Sequence, residues 1–141
     1  MMILDTNVIS EPLRQQPNAD VVQWIDNQSL ETLYLSTVTV AELYFGMESL
    51  PTGRRKDTLL NRLRSEILPL FRGRILSFDV DAAKSYGALM SRAKSNGVTI
   101  SAADGYIAAI AHSCSMKVAT RDTNPFKAGE IEVINPWEFK L

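Results

Sequence analysis

The sequence predicts an α/β fold built on parallel strands, and three observations lead there. Short apolar runs recur at Met2 to Leu4, Leu33 to Leu35, Ile75 to Phe78, Lys117 to Ala119 and Val133-Ile134. Longer segments with helical spacing separate most of them. Residues able to cap a helix, or to bind a ligand, follow several of the runs. Strands that alternate with helices pair in parallel through right-handed crossovers. In open sheets of this kind ligands bind beyond the carboxyl ends of the strands.

Each element follows from local signals. Met2 to Leu4 is a buried strand bounded by polar residues. A short helix over Val21 to Asn27 follows the Pro17-Asn18 break. The second strand ends at Ser36-Thr37, either of which caps a helix. That helix carries apolar residues at Val38, Ala41 and Phe45, and at Leu43, Met47 and Leu50, and Pro51 closes it. Arg54 to Leu70 reads as another helix, with Leu59, Leu60, Leu63, Ile67 and Leu70 on one side. After the third strand, Asp79 or Asp81 caps a helix that runs to about Ser95 and stops at Asn96-Gly97. Ser101 caps a very apolar helix, "AADGYIAAIAHSC". There is no internal repeat and no low-complexity segment.

The bulk numbers narrow the class. With 141 residues, 45% hydrophobic and 22% charged, residues 1–141 read as one globular domain. The net charge of −1 gives no global field for a polyanion, so any nucleic-acid contact needs a local patch or metal ions. The lone cysteine, Cys114, excludes an internal disulfide and suits the cytoplasm. The first residues lack a basic segment, and Asp5 interrupts their apolar run, so they do not read as a signal peptide. No apolar run approaches the ~20 residues of a membrane span, and no membrane contact is expected.

Four acids stand out, each with two readings. Asp5 ends the first strand, where it either caps a short helix or holds a ligand. Glu42 has Val38, Thr39, Phe45 and Gly46 one turn away, so it is either a surface glutamate or a functional acid on an unsolvated face. Glu48 is the helix's evident water-facing acid. Asp104 opens a run apolar nearly all round, and a buried carboxylate without a partner costs several kcal/mol. Ser101-x-x-Asp104 also resembles a capping box, although Asp is a methylene short of the usual Glu. Asp122 follows the strand "KVAT" and Arg121, as a turn or salt-bridge residue or as a fourth ligand. Such acids converge only around a cation, and hard oxygen donors suit Mg²⁺ or Mn²⁺. His112 and Cys114, the only residues of their kinds, are read as partly buried residues of the apolar helix rather than zinc ligands.

At these residues the chain resembles the PIN-domain ribonucleases of the VapC toxin type, and within that group it is similar to the FitB-like members. The stretches that carry the likeness are "ILDTNVISE", "STVTVAELYFGM", "ILPLFRGRILSFD", "SAADGYIAA", "VATRDT" and "INPW". Their order makes a specific combination that spans nearly the whole chain. The resemblance implies a three-layer α/β/α fold with a central parallel sheet. It implies an acidic pocket at Asp5, Glu42, Asp104 and Asp122, which would bind metal and carry catalysis. Many members have Asn in place of Asp122; FitB-like members keep the acid. Thr6, Asn7, Ser101 and Thr120 are polar neighbours that would orient carboxylates or waters.

The implied chemistry is hydrolysis of an RNA phosphodiester by water, assisted by Mg²⁺ or Mn²⁺, leaving a 5′-phosphate and a 3′-hydroxyl. The segment from Pro51 to Ile75 holds Arg54, Arg55, Lys56, Arg62, Arg64, Arg72 and Arg74 against Asp57 and Glu66. It is either an RNA grip or a solvated face. The likeness also implies a small DNA-binding antitoxin whose arginine plugs the pocket, operator DNA bound through that antitoxin, a homodimer, and a higher assembly with the antitoxin. Two other readings remain at this point. A haloacid-dehalogenase-type phosphatase would need a second Asp at position 7, which is Asn. A FitB-like subunit with little or no catalysis would serve mainly to bind the antitoxin and support operator binding.

Overall fold

The computed structural model describes residues 1–140. Five strands, β1 (Met2–Leu4), β2 (Leu33–Ser36), β3 (Ile75–Leu76), β4 (Lys117–Ala119) and β5 (Val133–Ile134), form one sheet in the order β3-β2-β1-β4-β5. Every pairing is parallel. The chain builds the sheet outward from β1 to β3, then returns to the other side of β1 for β4 and β5. The reversal falls between β1 and β4, the kind of crevice in which open α/β sheets bind ligands.

Strand periodicity sorts the side chains into two cores. Met2 and Leu4 enter one and Ile3 the other; Leu33 and Leu35 oppose Tyr34, and Ala119 opposes Val118. The first core is covered by α1 (Thr6–Ser10), α2 (Ala19–Asp26), α3 (Thr37–Glu48) and α4 (Arg54–Arg62), through Val8, Trp24, Leu43, Met47 and Leu59. The second is covered by α6 (Val80–Ser95), α7 (Ala102–Ser113) and α8 (Thr123–Ala128), through Leu89, Ile107, Ile110 and Phe126. The expected three layers with a central parallel sheet are present.

Caps set most boundaries. Asn18 accepts from the Asp20 and Val21 amides at 2.9 and 3.2 Å, so α2 starts ahead of the expected Val21. Ser36 caps α3, Asp79 caps α6 and Ser101 caps α7, each accepting an amide three residues on. Gly97, at φ +71°, ends α6 in the left-handed region that glycine adopts without strain.

The segment expected as a helix over Arg54 to Leu70 is helical throughout but not uniform. Leu63–Ile67 forms a π turn, with the Leu68 amide bonded to the Leu63 carbonyl, before the short α5 (Leu68–Leu70). The wider turn keeps Leu59, Leu63 and Ile67 buried and carries Leu70 out to 51% exposure, so Leu70 leaves the apolar face to which its spacing assigned it. The sequence reading also placed no element at α8 or at the 3₁₀ turns Glu11–Leu13, Leu30–Thr32 and Pro136–Glu138. Among the described residues no helix is long and apolar enough to cross a membrane.

Candidate active site

Asp5 is the most buried of the four acids, and its reading as a helix cap holds. It caps α1, accepting the Thr6 amide at 2.8 Å on Oδ1. Its other oxygen accepts the Thr120 hydroxyl at 2.8 Å, with the Asn7 amide at 3.5 Å. The residue is 4% exposed. Burial pushes its carboxyl up to about 6; the Thr120 and Thr6 hydrogen bonds oppose that rise, and the carboxylates of Asp104 and Glu42 add to it.

Asp104 lies in the first turn of α7. Burial raises its carboxyl above the usual range, the Ser101 hydroxyl offsets part of that, and Asp122 adds like-charge repulsion. Asp104 is half-buried, because the face of α7 that carries it is not enclosed as the apolar run suggested. Ser101 does cap this helix, accepting the Asp104 amide at 3.2 Å. Asp122 stands at the N-cap position of α8 without a side-chain cap bond, and its amide donates to the Thr120 hydroxyl at 3.0 Å. Thr120 therefore couples β1 to the segment that carries Asp122.

Glu42 corrects an expectation about α3. Its face is open to solvent: Glu42 is exposed, and Phe45, one turn on, is 75% exposed. Glu42 is nonetheless tied to the site, accepting the Thr6 hydroxyl at 2.6 Å on Oε1. Thr6 also lies 3.0 Å from the hydroxyl of Thr39, a fully buried residue. The sequence reading noted Thr39 only as a neighbour of Glu42. The available signal was a small hydroxyl residue three positions before a glutamate on the same helical face.

Asn7, where a haloacid-dehalogenase phosphatase needs a second carboxylate, directs its amide between Asp5 and the backbone N–H of Arg121, the latter at 3.4 Å. The Arg121 guanidinium stacks on Trp137 at 5.2 Å. Among the described residues, no ion pair involves Asp5, Glu42, Asp104 or Asp122. These acids thus interact with one another through space and have no built-in counter-ion. Hydroxyl and carboxylate oxygens are the donors a hard divalent cation selects. The donor chemistry fits such an ion, but the cage is not closed: among the described residues no three acidic, imidazole or thiol side chains come together tightly enough to hold a metal. His112 and Cys114 are exposed, not partly buried, and stand at the far end of α7.

A recess of about 320 Å³ begins at Thr6 and Glu42 and runs over an apolar floor of Leu13, Leu43, Met47 and Leu59, with Arg14 and Arg55 among its lining. The arginines of the basic segment divide by role. Arg54 and Arg55 are exposed. Arg62 pairs with Glu66 at 3.4 Å. Arg74 is structural, donating to the carbonyls of Leu33 and Leu70 and lying 5.8 Å over the Phe71 ring.

Comparison with known proteins agrees with this fold. The family model described as "PIN domain" matches residues 2–131. The chain is 56% identical over 137 residues to "Toxin FitB" from Neisseria gonorrhoeae, covering 97% of this chain and 99% of that protein. It is 54% identical over 138 residues to "VapC ribonuclease Y4jK" from Sinorhizobium fredii, covering 98% and 99%. The solved structure of FitAB bound to an IR36 DNA fragment superposes with a TM-score of 0.96 at 53% identity, over 100% of this chain and 99% of that one. A PIN domain match over residues 2–131, on a five-stranded parallel sheet in the order β3-β2-β1-β4-β5, places this protein in the PIN domain family.

Proposed function

We propose that this chain is a metal-dependent endoribonuclease and the toxin of a toxin–antitoxin pair, acting through Asp5, Glu42, Asp104 and Asp122. One observation carries the reading. Asp5 is buried, its carboxyl is raised to about 6 in the company of Asp104 and Glu42, and among the described residues no cationic side chain forms an ion pair with the group. Such an arrangement costs stability in the absence of a divalent cation, which makes it a candidate site of function. The names of the relatives, a VapC ribonuclease and a FitB toxin, support the same reading.

Asp5, Asp104, Glu42 and Asp122 would hold Mg²⁺ or Mn²⁺, drawn together on binding. The bound ion supplies acidification of a water and neutralisation of charge on the phosphate. Thr120 and the Thr6 amide hold the Asp5 carboxylate in one orientation. Asn7 bridges it to the Arg121 backbone, and Ser101 fixes the helix end that presents Asp104. No protein nucleophile is needed. The exposed Arg54 and Arg55 would meet substrate phosphates, a role Arg74 would not share because its guanidinium is bonded to backbone carbonyls. With RNA as substrate and one free cysteine, the compartment is the cytoplasm.

The partner is a small DNA-binding antitoxin that carries the pair to operator DNA; the solved relative is a FitAB pair on a DNA fragment. Its arginine would plug the acidic site, while its flanking residues lie along the recess beside Glu42. The chain forms a homodimer that assembles further with the antitoxin. The exposed Phe78, Val80 and Tyr106, with Phe78 and Tyr106 rings 4.9 Å apart, offer an apolar face for it.

The test is cleavage of a single-stranded RNA by the purified chain with Mn²⁺, Mg²⁺ or EDTA. Wild type cuts only with metal, Glu42→Gln and Asp5→Asn lose at least ~100-fold, and Glu48→Gln keeps its rate. Equal activity in wild type and Asp5→Asn means a contaminating nuclease. A folded, metal-loaded wild type that binds antitoxin and cuts nothing establishes the alternative, a subunit whose work is operator binding.

A further inference from the structure

Glu42 is exposed, and an exposed glutamate on a helix surface samples many rotamers unless something holds it. What holds it is a single hydroxyl. Thr6 Oγ1 stands 2.6 Å from Glu42 Oε1 and 3.0 Å from Thr39 Oγ1. A hydroxyl has one proton to give, and an ionised carboxylate only accepts. The Thr6 proton therefore goes to Glu42, the shorter and charge-assisted bond. By heavy-atom geometry Thr6 is a donor to Thr39 as well, but with its one proton committed to the Glu42 carboxylate the contact between the two hydroxyls is made with the proton of Thr39.

The surroundings of Thr39 favour this use of its hydroxyl. Thr39 is fully buried, so its proton needs a protein acceptor. A helical threonine usually turns its hydroxyl back to a carbonyl of the preceding turn. Here the Thr39 hydroxyl meets α1, a neighbouring helix, instead. Its backbone is locked as well, since its amide donates to the Ser36 hydroxyl at 3.1 Å. The fixed end of the chain is thus a buried group on a capped helix, and the free end is the exposed carboxylate beside Asp5.

We propose that Thr39 is a positioning residue that orders the Glu42 carboxylate through the Thr6 hydroxyl, in a directed chain Thr39 O–H to Thr6 O–H to Glu42. The proposal rests on the reading of Glu42 as part of a metal-binding site. Successive bonds in such a chain polarise one another, so the buried donor strengthens the bond that Glu42 receives. It also prevents Thr6 from turning its proton away from Glu42, because Thr39 already occupies that side as a donor. Glu42 is thereby presented to the crevice while one of its oxygens stays available for a cation.

Two variants separate hydroxyl from shape. Thr39→Val keeps the volume and the β-branch and removes the donor; Thr39→Ser keeps the donor and removes the methyl. Proton NMR of the metal-free protein should show a slowly exchanging Thr39 hydroxyl signal with a cross-peak to the Thr6 side chain, absent in Thr39→Val. Mn²⁺ alone, followed by calorimetry, should bind Thr39→Val about 10-fold more weakly, and Thr39→Ser within about 2-fold of wild type. An unchanged amide correlation spectrum away from α1 and α3 certifies the fold. The proposal falls if wild type lacks the hydroxyl signal, if Thr39→Val binds Mn²⁺ as tightly as wild type, or if Thr39→Ser is as weak as Thr39→Val. The ribonuclease reading fails separately: a wild type that shows the signal and the Mn²⁺ difference but cuts no RNA keeps the relay and loses the activity.

Discussion

Asp5 has opposite effects on stability and on function. Its carboxyl is raised from 3.8 to about 6, so between those values the folded state holds a proton that the unfolded chain releases. Stability contributed by this group is therefore present below about pH 4 and lost as pH rises through 6, a loss of about 3 kcal/mol for a shift of that size. Asp5→Asn is expected to stabilise the metal-free protein at pH 8 by about 1–3 kcal/mol, with the lower figure applying if the amide makes weaker bonds to Thr6 and Thr120. The gain should shrink to nothing by pH 4. Urea denaturation in EDTA at both pH values checks this, and a variant less stable than wild type at pH 8 would mean that Asp5 has a cationic partner after all. In the proposed metal site the same raised carboxyl should make Mn²⁺ affinity climb with pH up to about 6 and then level off, because the cation would have to displace that proton.

At the scale of elements, the N-terminal turn of α3 does much of the positioning. Ser36 ends β2, is fully buried, and caps α3 by accepting the Thr39 amide. One residue thus joins the sheet to the helix and aligns both Thr39 and Glu42 with α1. Ser36→Ala should cost about 1 kcal/mol, the usual value of an N-cap, and Ser36→Thr much less. The Ala variant should also lose Mn²⁺ affinity, because fraying of that turn moves Glu42 away from Thr6. Denaturant midpoints and Mn²⁺ calorimetry on the two variants are the measurement. An unchanged midpoint in Ser36→Ala would show that packing alone holds the helix end.

For the whole molecule, the proposed activity raises the question of how it would be kept in check. An arginine from the proposed antitoxin would answer it chemically: the guanidinium stays charged at all working pH values and donates to two carboxylate oxygens at once. Inserted between Asp5, Asp104 and Glu42, it would compete with metal and block the phosphate. Replacing each arginine in the antitoxin's tail should identify one whose loss restores cleavage by at least ~10-fold in the complex, with operator binding intact. A complex that cuts RNA at the full rate, or inhibition that survives loss of every tail arginine, would rule this mechanism out. Arg121, next to Asp122 in the chain, is stacked on Trp137 and forms no ion pair with the four acids.

The sequence by itself determined the alternation of strands and helices apart from α8, the cap at Ser101, cap candidates that include Ser36 and Asp79, and the acids proposed for the site. These are local properties: an apolar run, a capping hydroxyl or a carboxylate beside a strand end is written in a few adjacent residues. Asp5 was legible because it interrupts an apolar run at once. The tertiary structure decided what no window of sequence contains. It set β1 between β2 and β4, which brings positions 5 and 120 into hydrogen-bond contact. It opened the face of α3 that carries Glu42 and Phe45, where helical spacing alone had suggested a covered one. It turned Leu70 outward through a π turn and drew Arg74 into structural bonds with backbone carbonyls. Thr39 shows the physical reason. Its neighbours in sequence mark it as an ordinary helical threonine, and only the fold brings its hydroxyl within 3.0 Å of that of Thr6, 33 residues away.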